Sequence, residues 1–504
     1  MRQRGPRLTA LIGAVTALVL SAGPAPAGAG ASAAAPVPIT PFLTTVDRTH
    51  LLARGPALRP TRVRRGDWVI QVDPTRRFQS MIGFGAALTD ASAELISECL
   101  TPAARDGLMA ELFGPEGERL GALRLTIGAS DFSTTRYSLD DMAPGQTDPQ
   151  LAHFSLAPEL AEVVPLVRQA RALDPDLWVM ASPWSAPGWM KTTDSLVGGQ
   201  LATGQSDAFA RYLVAYLKGM GAAGAPVDAL TIQNEPGFEP ADYPGMRVPP
   251  EVRARLIGRA LAPAIRAAGL STLILDHDHN WDTPQSPLSV LDDPVAAQAV
   301  GGVAWHCYAG DVAAQSLVHA ARPAKDTFFT ECSGGDWAPE FGRTLDWFVR
   351  TLIIEAPRHW ARTVLLWNLA LDETHGPHLG GCGDCRGVVT IDRRTGAITR
   401  NLEYYALGHA SRFVRRGAVR IASTGDPGGH DVDTVAFENP DRSRVLIAVN
   451  GSGRPRNLAV RLAGRVWRYA LPAGAVVSLV WSSGPSGATV DARSPPFRES
   501  LHAP

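Results

Sequence analysis

Three observations predict an α/β fold, a (β/α)8 TIM barrel with an attached small β-sandwich. Eight strand-like runs lie between about residues 80 and 410, most of them apolar throughout, as strands buried on both faces are. Amphipathic helical stretches separate several of them, the alternation expected of a parallel sheet. After about residue 418 the pattern changes to short β-rich segments divided by Gly, Pro and Asn, the spacing of a sandwich. A doubly wound open sheet is the rival arrangement of the same alternation. The length of 504 residues suits the first reading. At roughly 150 residues per domain it allows two to four domains, and a barrel takes up about 250 alone.

The N-terminus reads as a secretory signal. Arg2, Arg4 and Arg7 precede an apolar run from Leu8 to Leu20, and a small-residue tract follows. The run is about 13 residues long, short of the roughly 20 a spanning helix needs. The alternative is an uncleaved membrane anchor. Cleavage is expected between Ala27 and Ala35, leaving a soluble, exported chain. The expected organisation is a signal at 1–35, an N-terminal sandwich segment at 36–79 and the barrel at 80–410. A C-terminal sandwich at 411–490 and a loose tail at 491–504 complete it.

WVIQVD (Trp68–Asp73) is the strand candidate of the N-terminal segment. The barrel candidates are MIGFGA from Met81, ALRLTI from Ala122, LWVMAS from Leu177 and DALTIQ from Asp228. TLILDH from Thr272, GVAWHCY from Gly302, TFFTEC from Thr327 and TVLLWN from Thr363 follow. The clearest helices are LAPELAEVVPLVRQARAL, SDAFARYLVAYLKGM and PPEVRARLIGRALAPAIRAAG, the last opening on two prolines. RVLIAVN, NLAVRLA, VWRYALP and AVVSLVW are the C-terminal strands. Gly83 and Gly85 lack the third glycine of a dinucleotide fingerprint and are read as permitting a tight bend.

Catalytic groups of a barrel sit at the C-terminal ends of its strands. Here those ends carry Arg124 and Asp131, Ser182 and Trp184, Asn234 and Glu235, and the stretch Asp276–Asp282. His306 to Tyr308, Glu331, and Trp367 with Asn368 complete the set. Carboxylates, amides and aromatic faces are the chemistry of a carbohydrate site. Glu235 in TIQNEP and Glu331 in FFTECS follow the fourth and seventh strands, which face each other across a barrel mouth. Glycosidic hydrolysis needs such a pair, one acid to protonate the leaving oxygen and one carboxylate to attack or to activate water. The formal net charge is −1, from 48 Lys+Arg and 49 Asp+Glu, and this balance argues against a nucleic-acid binder. Nearly all the basic residues are Arg, which reads as codon bias. A hydrophobic fraction of 45% excludes global disorder. No Gly-x-Ser-x-Gly elbow or His-Glu-x-x-His motif supports a serine hydrolase or zinc protease.

Asn234-Glu235-Pro236 resembles the acid/base motif of the barrel glycosidases that catalyse from strands four and seven. GFGAALTDASA, ASDFS, ASPWSAPGWMK, AWHCY, TECSG and LLWNLALDETHGP are together similar to glycoside hydrolase family 30, from about Gln79 to the C-terminus. The resemblance implies a barrel with a side sandwich built from both chain ends, acting as a retaining β-glycosidase without metal or cofactor. It implies Glu235 as general acid/base and Glu331 as nucleophile. It implies Asn234 on the sugar 2-hydroxyl, with Arg124, Asp131, Trp184, His306, Tyr308 and Trp367 lining the glucosyl subsite.

Further expectations concern how these groups act. Arg124 orients a carboxylate bidentately, Asp131 accepts two hydroxyl protons, and Tyr308 donates to the nucleophile. Like charge and burial hold the acid/base protonated.

Leu366 stands where a closely similar member of that family has an acidic residue. The following loop, HGPHLGGCGDCRGVV, is slightly longer and carries Cys382 and Cys385, so a ceramide aglycone does not follow from the resemblance. No basic patch marks glucuronoxylan recognition. Cys382 and Cys385 are expected to form a local disulfide rather than a zinc half-site. Cys307 and Cys332 are expected as buried free thiols and Cys99 as a packing residue. The histidines and aspartates of Asp276–Asp282 are read as hydrogen-bonding groups rather than metal ligands. The expected function is a secreted, glucosylceramidase-like β-glycosidase of sphingolipid metabolism, with a β-glucoside or β-glucan substrate, no nucleic-acid partner and no membrane insertion. The alternatives are an endo-β-1,6-glucanase and a catalytically dead carbohydrate-binding protein.

Overall fold

The computed structural model describes residues 38–424 and 431–481. The signal expected at 1–35 and the tail at 491–504 lie outside the described residues. Eight parallel strands close a barrel in the order they occur in the chain. They are Gly83–Leu88, Ala122–Ile127, Trp178–Pro183, Ala229–Thr231, Leu273–Asn280, Val300–His306, Asp326–Glu331 and Ala361–Leu366. The eighth pairs with the first, Leu365 opposite Gly85. All eight apolar runs are therefore strands of one closed barrel, and the open-sheet alternative is excluded.

Side-chain alternation fills this barrel. Phe84, Leu123, Val179 and Phe329 point outward into the main core beneath the surrounding helices. Ala122, Met180, Ala229, Ala304 and Phe328 point inward and plug the lower half. Gly85 makes the tight first-to-second strand contact possible, because a Cβ there would overlap the Ala122 carbonyl. The glycine serves close strand approach, where the sequence suggested a bend.

The sandwich draws on both flanks. Ile39–Thr44 pairs antiparallel with Val476–Trp481, Ile39 opposite Trp481. The long strand Trp68–Ser80 pairs with Val419–Ser423 on one edge and with Arg456–Leu462 on the other, joining the two halves of the sheet. Ile70, Val72, Leu446, Val460 and Trp467 fill a separate apolar core. His409, on the last barrel helix Leu402–Ser411, reaches Thr44 and Ser478 of the sandwich at 2.9 Å each. No helix among the described residues is long and apolar enough to cross a membrane.

Candidate active site

Above the apolar plug, the barrel interior becomes polar. At its centre is Asp278, fully buried. Strict alternation along the fifth strand would send Leu275, His277 and His279 inward. Instead His277 (φ 81°) and Asp278 (φ 47°) both take left-handed backbone, and the register with the sixth strand shifts there. This bulge turns the Asp278 carboxylate into the barrel. Its Oδ2 accepts from Arg124 Nη2 at 2.9 Å and from Ser182 Oγ at 2.8 Å, with Thr231 Oγ1 2.7 Å away. Its Oδ1 lies 3.0 Å from His306 Nε2 and accepts from Thr330 Oγ1 at 2.7 Å. Burial raises a carboxyl pKa, but the Arg124 charge and these bonds outweigh it and hold Asp278 well below the usual range. Asp278 is the site residue that sequence reasoning did not single out.

Arg124 distributes its fork. One terminal nitrogen donates to Glu331, the other to Asp278 and to Asn234 Oδ1 at 2.8 Å. It thus bridges three residues, where a bidentate grip on one carboxylate was expected. Its guanidinium lies over Trp184 and Trp367, 4.9 and 5.5 Å from their ring centroids. The two tryptophans stack at 5.0 Å. Tyr308 Oη donates to Glu331 Oε1 at 2.9 Å, the contact expected of it.

Glu235 lies beyond the short fourth strand with φ 48°, a strained conformation for a non-glycine residue and one that clusters at functional sites. His306 Nδ1 is 3.3 Å from Glu235 Oε1 and 3.7 Å from Glu331 Oε1. The two carboxylate oxygens are therefore separated by no more than the sum of those distances, about 7.0 Å. His279 Nδ1 approaches Glu235 from the other side at 3.5 Å.

The protonation pattern differs from expectation. Burial works to raise Glu235, but hydrogen bonding and charge from His279 and His306 overcome it and lower its pKa to about 2. Burial likewise opposes charge on His306, yet Glu331, Asp278 and Glu235 raise its pKa to about 9. In the free site the exchangeable proton therefore rests on His306, donated to carboxylates at both ring nitrogens. Glu235, His279 and His306 also place one ligand atom each within 4.8 Å of one another, but a doubly protonated His306 offers no lone pair to a cation. Asp131 is the group held protonated. Burial first, and then the Glu331 charge, push it well above the carboxylate range. Its buried Oδ1 has no partner among the described residues. A neutral acid has one proton to donate and oxygens to accept with, where two accepted protons were expected.

The loop after the eighth strand folds over this side. Leu379 N–H donates to the Asp131 carbonyl at 2.6 Å, and Gly381 (φ 68°) passes so close that a Cβ would sit 3.1 Å from the Asp131 side chain. The expected Cys382–Cys385 disulfide pins the loop. Leu366 is buried at the end of its strand. Cys307 and Cys332 correct the sequence reading, being a disulfide and not free thiols. His306 pairs with Glu331 in the sixth and seventh strands, so the next residue on each comes to 5.4 Å Cα to Cα, within bonding reach. The bond ties together the segments that carry His306, Tyr308 and Glu331.

The fourth and seventh strands thus bring two carboxylates to one mouth, with an amide, an arginine and a tryptophan stack around them. That combination defines a barrel glycosidase. Family models for the glycosyl hydrolase family 30 TIM-barrel domain and beta sandwich domain match residues 81–414 and 417–479. The chain is 36% identical to an endo-1,6-beta-D-glucanase of Aspergillus fumigatus over 443 residues, covering 82% of this chain and 88% of that protein. It is 30% identical to the lysosomal acid glucosylceramidase of Mus musculus over 418 residues, 78% and 79% of the two chains. A solved endo-beta1,6-glucanase superposes with a TM-score of 0.83 at 30% identity, over 88% of this chain and 99% of that one. The protein belongs to glycoside hydrolase family 30 and is a β-glycosidase.

Proposed function

We propose that this enzyme is an exported endo-β-1,6-glucanase working by double displacement. Glu331 attacks the anomeric carbon while Glu235 delivers a proton to the departing glycosidic oxygen. Water, deprotonated by Glu235, then releases the glycosyl group from Glu331. The observation that carries the mechanism is His306 held between both carboxylates. The resulting ceiling of about 7.0 Å between one oxygen of each supports a retaining pair, whose carboxyl groups stand about 5–5.5 Å apart.

Each neighbour has a part in this reading. Arg124 and Tyr308 keep Glu331 ionised and aimed. Asn234, whose Oδ1 is taken by Arg124, turns its amide nitrogen to the sugar 2-hydroxyl. Asp131 binds hydroxyls of the same ring, and Trp184 and Trp367 form its apolar wall. His306 stores the proton, and Glu235 relays it once substrate excludes water, because desolvation favours a neutral acid beside a neutral imidazole over the charged pair. Two disulfides support export to an oxidising compartment, in line with the N-terminal signal pattern.

The higher identity to the fungal glucanase favours β-1,6-glucan over glucosylceramide. Incubation with a linear β-1,6-glucan is expected to give a ladder of short oligosaccharides, and glucosylceramide is expected to release little ceramide. Ceramide release without a ladder would overturn the substrate assignment in favour of a glucosylceramidase. Trapping with a 2-fluoro-glucoside and peptide mapping should label Glu331, and a label elsewhere would overturn its role.

A further inference from the structure

The net charge of −1 conceals a separation of charge. Residues 38–80 and 412–481, which supply the sandwich, hold 19 arginines against eight acids, a net of +11. Residues 81–411, the barrel, hold 24 basic residues against 39 acids, a net of −15. The sequence total therefore hid a basic module beside an acidic one.

Five of these arginines lie at or near one edge of the sandwich sheet. The outermost strand, Pro60–Thr61, pairs with Arg465–Leu471, which pairs with Arg456–Leu462. Arg59 and Arg62 flank the outermost strand, Arg64 and Arg65 lie on the connection leading to Trp68, and Arg461 sits two strands inward. At about 4.8 Å per strand, Arg59, Arg62 and Arg461 lie within roughly 10 Å across the sheet, and Arg64 and Arg65 lie on the connection that crosses from this edge toward Trp68. All five are exposed, and among the described residues none makes an ion pair. The one carboxylate of the 59–67 stretch, Asp67, is engaged by Arg468 at 2.6 Å. Unpaired arginines offer the planar fork that matches carboxylate, sulfate or phosphate. The edge lacks the aromatic wedge of a bilayer anchor, since Val69 is its one exposed large hydrophobic residue among those described.

We propose that this edge of the sandwich is a docking surface for an anionic polysaccharide, distinct from the glucan cleaved in the barrel. The polyanion holds the enzyme at a charged matrix through the sandwich. The acidic barrel repels the same polymer, so anchoring leaves the catalytic mouth free for a neutral chain. Occupancy is governed by counterion release and is steeply salt dependent.

Affinity electrophoresis and co-sedimentation with polygalacturonate test this. The full-length protein should be retarded at 50 mM salt. Binding should weaken on the order of 10²-fold by 200 mM, as for about five released counterions. Substituting Arg59, Arg62, Arg64, Arg65 and Arg461 together by Ser should abolish retardation. The thermal midpoint and turnover of an aryl β-glucoside should stay as in the parent. No retardation of the parent, or equal retardation of the variant, would overturn the proposal. So would tighter binding to phosphatidylserine vesicles or to duplex DNA than to polygalacturonate, each naming another partner. The readout is binding, so it stands or falls separately from the substrate assignment.

Discussion

Acidification should destabilise this enzyme through one buried histidine, and the size of the effect follows from its contacts. His409 is completely buried where the last barrel helix meets the sandwich. Ser478 Oγ gives its proton to the His409 carbonyl at 2.7 Å, so toward the ring it acts as acceptor, and Nδ1 carries the hydrogen. Nε2 then accepts from the Thr44 hydroxyl at 2.9 Å. Every polar atom is satisfied by the neutral imidazole, and a second ring proton would face a donor. Burial, with a contribution from the Arg412 charge, lowers the pKa from 6.5 to about 3. The depressed folded value fixes the sign: there is no penalty above pH 6.5, and stability is lost as pH falls from 6.5 toward 3. At pH 4 the ring is charged in the unfolded chain and neutral in the folded one, a loss of roughly 3 kcal/mol at about 1.36 kcal/mol per pH unit. The perturbation is His409→Gln, which lacks the titration but gives up one hydrogen bond, about 1–2 kcal/mol at every pH. Urea unfolding of both proteins should find the parent more stable at pH 7.5 and the variant more stable at pH 4. Other titrating groups cancel in the comparison. A stability gap that stays constant within about 0.5 kcal/mol between the two pH values would refute the reasoning.

Glu331→Gln and Glu235→Gln should each nearly abolish turnover, and azide should rescue the two alanine variants differently; wild-type rates for Glu331→Gln on an aryl β-glucoside would refute its role. Asp278→Asn should lower kcat on the order of 10²-fold while KM changes little, since the substituted residue orients Arg124 and His306 without touching the sugar. The pH profile of kcat/KM should fall on its basic side near pH 9, where His306 loses its proton, and His306→Asn should move that limb; a limb unchanged in the variant would exclude His306 as the proton store. Gly381→Val should raise KM by forcing the 376–386 loop off Asp131, measured on the same aryl glucoside.

The barrel was legible because its strands are buried on both faces, and burial writes itself as continuous apolar runs such as ALRLTI and TVLLWN. Glu235 and Glu331 were legible because each follows such a run. Asp278 was not, since it becomes an interior residue only through two consecutive left-handed residues, and no period-two reading anticipates that bulge. The Cys307–Cys332 bond depends on the register between the sixth and seventh strands, which periodicity does not specify. The ionisation of Glu235 depends on His279, another product of the same bulge. The opposed charges of the two modules disappear in any total taken before the modules are delimited.

The pairing of Ile39–Thr44 with Val476–Trp481 also sets a timetable. The first of the described strands to leave the ribosome has its partner in the last of them, with Ile39 waiting for a residue 442 positions downstream. Until then its edge stays unmatched, and the sandwich cannot be completed however much of the barrel has formed. Such distant pairings make folding slow, and they make it conditional on a full-length product. A chain cut short by even the final strand would present an open, adhesive β-edge. The pairing thus makes a complete sandwich sheet the property of chains that carry both strands.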